Sequence, residues 1–471
     1  MATFMAAVES TIVATAMPSI VAALGGFRLF SWVFAIYLLT QAISIPVYGR
    51  LADLFGRKKV FYAGAGLFLA GSTLCGFAPG MISLVAFRAL QGLGAGGVQP
   101  IAMTICGDIY TPAERARVQG LISSVFGVAA IAGPSLGAFL VEHVSWQTVF
   151  WVNLPIGFAA IVMLSVFLQE HVRPRAHSVD YAGSALMMLT IGAFMLLLIQ
   201  GSSLSTFVWT VTGITGLACL AALVGQELRT REPMLPLELW RDRVIFIGSA
   251  GGGLAGAVMM GVSAFLPAYV QGAMGRSPAT AGLVLGLMSV TWAFASILGG
   301  RLMVRTSYWL SAVSGAVCLI VGCGVLVAMT PADGLILAGI GSLVIGVGMG
   351  LCNTAFIVSI QAAVPWAKRG AATSSCLFLR FIGQALGAAA FGAVLNATIL
   401  NRAPEAVHEV DRLLNPTLRS GIPAGEQERL TFLVADGLHN SYWLALALSA
   451  ATLLLVLWLP RRLSPAQQKL K

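Results

Sequence analysis

The sequence predicts an all-α integral membrane protein with fourteen transmembrane helices. Hydrophobic residues make up 58% of the 471 positions, charged residues only 10%, and the mean hydropathy is +0.88. Because lipid offers the backbone no hydrogen-bond partner, each span needs a helix of about 20 mostly apolar residues. Such runs lie near 2–24, 30–50, 60–78, 82–106, 118–141, 147–168, 181–200, 206–226, 244–270, 280–300, 308–328, 334–358, 371–396 and 441–459.

The first run carries Glu9 and follows no cleavable signal, so we expect it to be kept as a helix. The five histidines lie in loops or at the ends of runs, which gives no cluster for a metal or for acyl transfer. The seven cysteines lie in apolar runs and are expected to be small packing residues. These patterns predict neither an enzyme nor a metal or cofactor site.

Basic residues are distributed unevenly between the loops of the two sides. The short loops of one side hold only Arg28 and Arg276, whereas the other side holds clusters such as Lys58 with Lys59. The positive-inside rule therefore places both termini in the cytoplasm and a long loop at 397–440 outside. The net charge of +10 is then a cytoplasmic surplus, and no aromatic and basic patch indicates nucleic-acid binding.

Three ionisable side chains, Glu9, Arg88 and Arg380, are the only charges predicted to lie well inside the apolar runs. A charge at the centre of a span costs about 2.5 to 3.5 kcal/mol, so such residues are usually functional. Removal from water disfavours the ionised form of a carboxyl group. We therefore predict that Glu9 takes up and releases a coupling proton, the alternative being a permanent ion pair with Arg88.

Arg88, Gln91 and Gln99 follow a helical spacing that puts them on one face of the fourth run, and we expect this face to line water. Arg88 would pair with ionised Glu9 and lose this partner on protonation. Alternatively, Arg88 and Gln91 bond backbone carbonyls and fix helix packing. Arg380 has no nearby acid in its own half. An anionic ligand group, a lipid phosphate or backbone carbonyls can each satisfy it, and we expect backbone carbonyls.

Aromatic and polar residues on several other runs indicate a roomy amphiphilic pocket, although such residues more often serve packing. The candidate substrate-binding residues are Tyr37, Gln41, Gln91, Gln99, Phe265, Tyr269, Trp292, Asn353, Phe356 and Arg380.

Weak internal repeats divide the chain into halves. GRLADLFGRKK begins at Gly49 after the second run, and GRLMVRT begins at Gly300 after the tenth. Transporters that work by alternating access are commonly built from two similar halves. We predict two six-helix bundles, one at 1–169 and one at 244–471, with two inserted helices and their linkers in 170–243 between them.

Four motifs in order resemble those of the major facilitator superfamily, and within it those of the fourteen-helix drug/proton antiporters of the EmrB/QacA type. They are VESTIVATAMPSI in the first run, GRLADLFGRKK, RALQG and GPSLG. The resemblance covers nearly the whole chain and implies the major facilitator fold, a bacterial inner-membrane location and proton-driven multidrug export. The branch usually has an aspartate in place of Glu9 and a glycine in place of Ala129.

The resemblance also implies a cytoplasmic latch and a hinge. The latch residues are Gly49, Asp53, Gly56, Arg57, Asp108 and Arg115, although Asp108 can equally be a solvated helix end. The hinge residues are Gly133, Pro134 and Gly137. The proline should bend its helix, and the glycines should permit close contact with a helix of the other half.

Together these features predict a proton-coupled exporter of hydrophobic or amphiphilic small molecules that contacts lipid and uses the proton gradient without a cofactor. The second half has no predicted buried acid, which argues against dications and leaves neutral, monocationic or anionic compounds open. Three alternatives stay open. One is a lipid or siderophore exporter of the same fold, and the second is a symporter or uniporter. The third is a non-catalytic subunit of an efflux assembly, with 397–440 docking a periplasmic adaptor.

Overall fold

The computed structural model describes most of the chain. The residues outside the description are 110–124, 126–127, 130–131, 169–179, 201–203, 231–237, 331–334, 366–368, 404–422 and 462–471. The same holds for the side chains of a few helical residues, including Asp53 and Asp108. All regular elements of the described part are helical, which confirms the predicted all-α class.

The first of two compact units is built on Met1–Met234. Its helices are α1 (Ala2–Leu24), α2 (Phe30–Phe55), α3 (Arg57–Gly76), α4 (Met81–Ile109), α5 (132–143), α6 (Thr148–Trp151), α7 (Asn153–Phe167), α8 (Tyr181–Gln200) and α9 (Thr206–Arg229). Helix α4 packs against α1, α2 and α3, and α8 packs against α9 and α2. The helices predicted as an insertion thus fall within this unit.

The second unit is built on Leu235–Ala406 and Ala424–Lys471. Its helices are α10 (Arg243–Ala268, continued by a π-helical turn Tyr269–Ala273), α11 (Pro278–Arg305), α12 (Tyr308–Val327), α13 (Leu335–Ala363), α14 (Arg369–Arg402) and α15 (Ala424–Leu457). Helix α13 packs against α11 and α12, and α10 packs against α13, α14 and α15.

Twelve helices of the described part are long and apolar enough to cross a membrane. Helix α3 is a further helix of 20 residues whose first three residues are basic, and α5 is described only in part. The chain is therefore a multi-pass membrane protein with about twelve to fourteen helices. The number fourteen stays a prediction.

Local chemistry explains several helix ends. Side chains of Ser205, Asp242, Ser277 and Ser307 each accept a backbone N–H of the first turn that follows, which satisfies a donor that has no partner within the helix. Between α2 and α3 the chain turns at Gly56, whose φ of 94° lies in the left-handed region that favours glycine.

The same helix contact occurs in both units. A side chain at Gly92 of α4 would collide with the Thr40 hydroxyl of α2, and one at Gly346 of α13 would collide with the Thr291 hydroxyl of α11. Each of these threonines also donates to carbonyls of its own helix. The pair α2 and α4 therefore corresponds to the pair α11 and α13, as the weak sequence repeats suggest.

A second shared contact involves the predicted hinge glycines. Gly133 and Gly137 of α5 lie against α1, and Gly383 and Gly387 of α14 lie against α10 with the same spacing. The hinge glycines thus pack within their own unit, and their contact with a helix of the other half stays a prediction.

The predicted loop at 397–440 is shorter in the structure. Helix α14 continues to Arg402, and α15 already begins at Ala424. Arg402 forms an ion pair with Asp436 at 3.1 Å, and Leu430 and Leu438 are buried. Polar residues that suggested a loop therefore lie on the outer turns of two long helices.

A fourth charged residue, Glu227, is buried in an apolar helix, contrary to the prediction of three. Helix α9 extends to Arg229, so Glu227 lies inside the helix and is only 5% exposed. Glu9, Arg88 and Arg380 are therefore not the only charged residues in the apolar helices. Nearby, the carboxylate of Asp180 accepts hydrogen bonds from Gln226 at 3.1 Å and from Thr230 at 3.4 Å, which ties the start of α8 to the end of α9.

The close approach of α3 and α4 can be tested at Gly71. In Gly71→Ala the new methyl group would lie 2.6 Å from the Cα atom of Gln91, so the helices must separate. Overpacking of this kind costs about 1 to 3 kcal/mol. Gly66→Ala on the same helix is the matched control, since nothing lies within 4 Å of its methyl group. Thermal unfolding should show a lower Tm for Gly71→Ala alone, and equal Tm values would contradict this packing.

Candidate functional site

The Glu9 carboxylate is fully buried in the middle of α1 and has a partner on each oxygen. Its Oε1 accepts a hydrogen bond from Arg88 Nη1 within a buried ion pair. Its Oε2 accepts a hydrogen bond from Asn153 Nδ2 at 2.6 Å. The two bonds tie α1 to α4 and to the first residue of α7.

The Arg88 guanidinium is likewise buried, at 2% exposure, and is bonded on several sides. Its Nε donates to the carbonyl oxygen of Val33 on α2 at 3.1 Å, and Nη1 also donates to Gln91 Oε1 at 2.7 Å. The Tyr37 ring centroid lies 4.0 Å from its Cζ atom, a favourable position for a cation over an aromatic face. Arg88 therefore connects α1, α2 and α4.

Ser72 of α3 joins the network through the partners of Glu9 and Arg88. Its Oγ accepts hydrogen bonds from Asn153 Nδ2 at 3.0 Å and from Gln91 Nε2 at 3.1 Å, and it donates to the carbonyl of Phe150 at 2.8 Å. Ser72 and Asn153 were not among the site residues predicted from the sequence. Asn153 left a detectable signal, because an amide side chain within an apolar run needs a partner just as a charge does.

These contacts correct the expectation that the face of Arg88 and Gln91 lines water. Both residues are buried and bonded to neighbouring helices, whereas Gln99, farther along α4, is half-buried. The reason is that Glu9, Val33, Ser72 and Asn153 together supply the partners that water would otherwise supply. The network is an occluded ion pair.

In an apolar interior the two charges depend on each other. Removing one partner of a buried pair typically costs about 3 to 5 kcal/mol, because the other charge is left uncompensated. A proton on Glu9 removes the negative charge without removing the side chain, and Arg88 would keep its bonds to Val33 and Gln91. The arrangement can therefore couple protonation to loosening of the contact between α1 and α4.

The second unit brings two predicted site residues together on facing helices. Arg380 Nη1 of α14 donates to Asn353 Oδ1 of α13 at 3.0 Å, and both residues are half-buried. Among the described residues, no three His, Cys, Asp or Glu side chains group in a way that would hold a metal ion.

Residues 1–388 match the family model of the Major Facilitator Superfamily. The chain belongs to the major facilitator superfamily. Among its relatives are the multidrug transporter protein MdtP and multidrug resistance protein 3, both of Bacillus subtilis. The first is 33% identical over 84% of this chain and 74% of the relative, and the second is 32% identical over 85% and 79%. Efflux pump FUS6 of Gibberella moniliformis is 30% identical over 86% and 74%.

A solved structure shares the fold of this major facilitator protein. It is a bacterial homolog to the human lysosomal transporter Spinster in an inward-facing and unoccupied conformation, with a TM-score of 0.67 at 18% identity over 98% of this chain and 97% of that chain. Family and fold together identify a transporter and not an enzyme.

Most of the predicted pocket residues of this superfamily member are packed in the interior of their units. Tyr37 and Gln41 are buried in the first unit, as is Gln91. In the second unit, the Phe265 ring lies 5.9 Å from that of Phe391, the Tyr269 ring lies 5.8 Å from that of Tyr442, and Phe356 fills the space beside Gly251. Trp292 and Gln99 are half-buried, as are Asn353 and Arg380. Ligand binding by these residues stays a prediction.

The predicted latch is described only in part. Gly49 is exposed at the end of α2, Gly56 forms the turn, and Arg57 is half-buried at the start of α3. Next to them, Lys58 Nζ donates to the carbonyls of Ser165 at 2.8 Å and Leu168 at 3.0 Å, which have no partner within α7. Arg115 and the side chains of Asp53 and Asp108 lie outside the described residues, so the latch stays a prediction.

The mutual dependence of Glu9 and Arg88 can be measured. Arg88→Met leaves a buried carboxyl group without its cation, and we expect it to lose about 3 to 5 kcal/mol of stability near pH 8. The folded variant would hold a proton on Glu9 that the unfolded chain releases, so its stability should fall as the pH rises and the loss should be smaller near pH 5.

The double variant Glu9→Gln with Arg88→Met contains no buried charge at this site and should recover part of the loss. Thermal unfolding of the purified single and double variants at both pH values measures the coupling. Losses that simply add, with no dependence on pH, would argue against the ion pair.

Proposed function

We propose that this chain is a proton-coupled exporter of hydrophobic or amphiphilic small molecules that works by alternating access. The observation that carries the proposal is the buried pair of Glu9 and Arg88, a protonatable carboxyl group within the helices of a transporter. Relatives named as multidrug transporters and efflux pumps support export as the direction of transport.

The pair provides a switch between two states. With Glu9 ionised, Arg88 and Asn153 hold the carboxylate and tie α1 to α4 and α7. A proton that reaches Glu9 neutralises it, and the charge-assisted bonds lose much of their strength. Helix α1 is then released from α4. When substrate occupies the opened path, the proton leaves and the pair forms again, so proton and substrate move in opposite directions.

The proposal also includes the membrane topology, the cytoplasmic latch and the hinge. We propose fourteen spans in a bacterial cell membrane with both termini cytoplasmic, which agrees with the uneven distribution of basic residues. The turn of Asp53 and Gly56 would act as the cytoplasmic latch. The contact of Gly133 and Gly137 with α1 would let α5 follow α1 when the ion pair opens. We propose export without an adaptor protein, so the purified chain should transport in vesicles, and failure to do so would favour an adaptor-dependent assembly.

The proposal is tested with Glu9→Gln in proteoliposomes. The amide keeps the size and hydrogen-bonding capacity of the side chain but cannot exchange a proton at neutral pH, so proton-driven export of a fluorescent multidrug probe should be lost while the protein stays folded. The assay records probe accumulation and proton movement after an imposed pH gradient.

Glu428→Gln is the matched control, because the same substitution there removes an exposed carboxylate at the start of α15. It should leave transport unchanged. Export by Glu9→Gln that still follows the pH gradient would exclude Glu9 as the coupling site.

A further inference from the structure

The two arginines inside the apolar helices differ in how their charges are compensated. Arg88 is paired with a carboxylate and bonded to two further acceptors. Among the described residues, Arg380 of α14 forms one hydrogen bond, from Nη1 to the neutral amide oxygen of Asn353. A guanidinium stays charged in proteins and carries five N–H donors, so Arg380 has unused capacity for acceptors.

The remaining surroundings of Arg380 do not supply an acceptor. Its Nε is buried and bonds no residue of the described chain. Its Cζ lies 5.6 Å from the Phe381 ring centroid, which favours a cation but accepts no conventional hydrogen bond. The backbone carbonyls that the sequence analysis considered as partners therefore do not bond this guanidinium in the described structure.

No carboxylate of the described part of the second unit pairs with Arg380. Two acids of this unit have other partners, since Asp242 caps the start of α10 and Asp436 pairs with Arg402. The acids of this part are Glu238, Asp242, Glu426, Glu428 and Asp436. The positive charge of Arg380 is thus not cancelled by any acid among the described residues of its own unit.

Further donors lie beside the guanidinium. Gln384 follows Arg380 by one helical turn on α14, and both side chains pass close to Gly256 of α10, whose missing Cβ would lie 3.1 Å from Arg380 Cγ and 3.3 Å from Gln384 Cγ. Asn353 contacts Arg380 through its amide oxygen, so its NH₂ group is not used in this bond. A cation and two amides thus lie on the neighbouring helices α13 and α14, and we call Arg380, Asn353 and Gln384 the donor cluster.

We propose that Arg380, Asn353 and Gln384 bind an anionic oxygen group, such as a carboxylate or sulfonate, of the exported amphiphile. Guanidinium groups match planar and tetrahedral oxyanions with two parallel hydrogen bonds, and amide NH₂ groups add neutral donors. This inference rests on the proposed export function for the identity of the ligand. It narrows the cargo from any amphiphile to one with an anionic head, and it separates the ligand site from the proton site at Glu9.

The test uses two fluorescent probes that share one ring system, anilinonaphthalene sulfonate and its neutral counterpart phenylnaphthylamine. Binding to the full chain is measured in nanodiscs of zwitterionic phosphatidylcholine, with empty nanodiscs subtracted. Arg380→Gln should weaken binding of the sulfonate about tenfold, the effect of one charge-assisted contact, and leave binding of the neutral probe within about twofold. Arg380→Lys keeps the positive charge but lacks the planar guanidinium, so its affinity for the sulfonate should lie between those of the wild type and Arg380→Gln.

Arg402→Gln is the matched control, because it removes an arginine at the exposed end of the same helix. This variant should bind both probes as tightly as the wild type does. Should Arg380→Gln fail to fold, the wild-type chain still decides the matter, because the sulfonate should raise its Tm more than the neutral probe does.

Two results would overturn the assignment. One is equal binding or equal stabilisation by both probes, which would show that the anionic group is not recognised. The other is loss of the Arg380-dependent sulfonate binding in phosphatidylglycerol nanodiscs, which would assign the cluster to a lipid headgroup. Binding needs no proton gradient, so Glu9→Gln should keep the preference for the sulfonate, and failure of this inference is distinguishable from failure of proton coupling.

Discussion

The structure of the first unit depends on one electrostatic constraint, that neither Glu9 nor Arg88 can stay charged alone in an apolar interior. The consequence is a network to which several helices contribute a group. Val33 of α2, Gln91 of α4 and Asn153 of α7 bond the pair directly, and Ser72 of α3 bonds Gln91 and Asn153. A proton is the smallest change that removes this constraint, which is why we propose that the pair acts as a switch as well as a structural contact.

The two units share helix contacts, but their buried charged residues lie at different positions. Glycines at corresponding places allow α4 to approach α2 and α13 to approach α11. Four residues before these glycines, the first unit has Arg88 and the second has the buried Ser342. In the second unit the arginine inside an apolar helix is Arg380 on α14, which bonds an amide and no acid among the described residues. A repeated scaffold thus supports a buried ion pair in one unit and an arginine bonded to a neutral amide in the other.

Much of the fold and part of the site could be predicted from the sequence. Long apolar runs dictate helices because lipid leaves the backbone no other partner, and the rarity of charge within them singled out Glu9, Arg88 and Arg380. Apolar runs do not define where the helices end. Hydropathy does not distinguish a helix that extends beyond the membrane from a loop, so Glu227 and the first turns of α15 were misassigned.

By itself, the sequence determined the membrane class, the family and the residues that need partners, since composition and motif order do not depend on how the helices pack. Only the tertiary structure decided which partners they have. Asn153 and Ser72 meet Glu9 and Gln91 across large separations in sequence, and Arg380 meets an amide and not an acid. The physical reason is that hydrogen bonds form between atoms about 3 Å apart, and the packing of helices sets those distances.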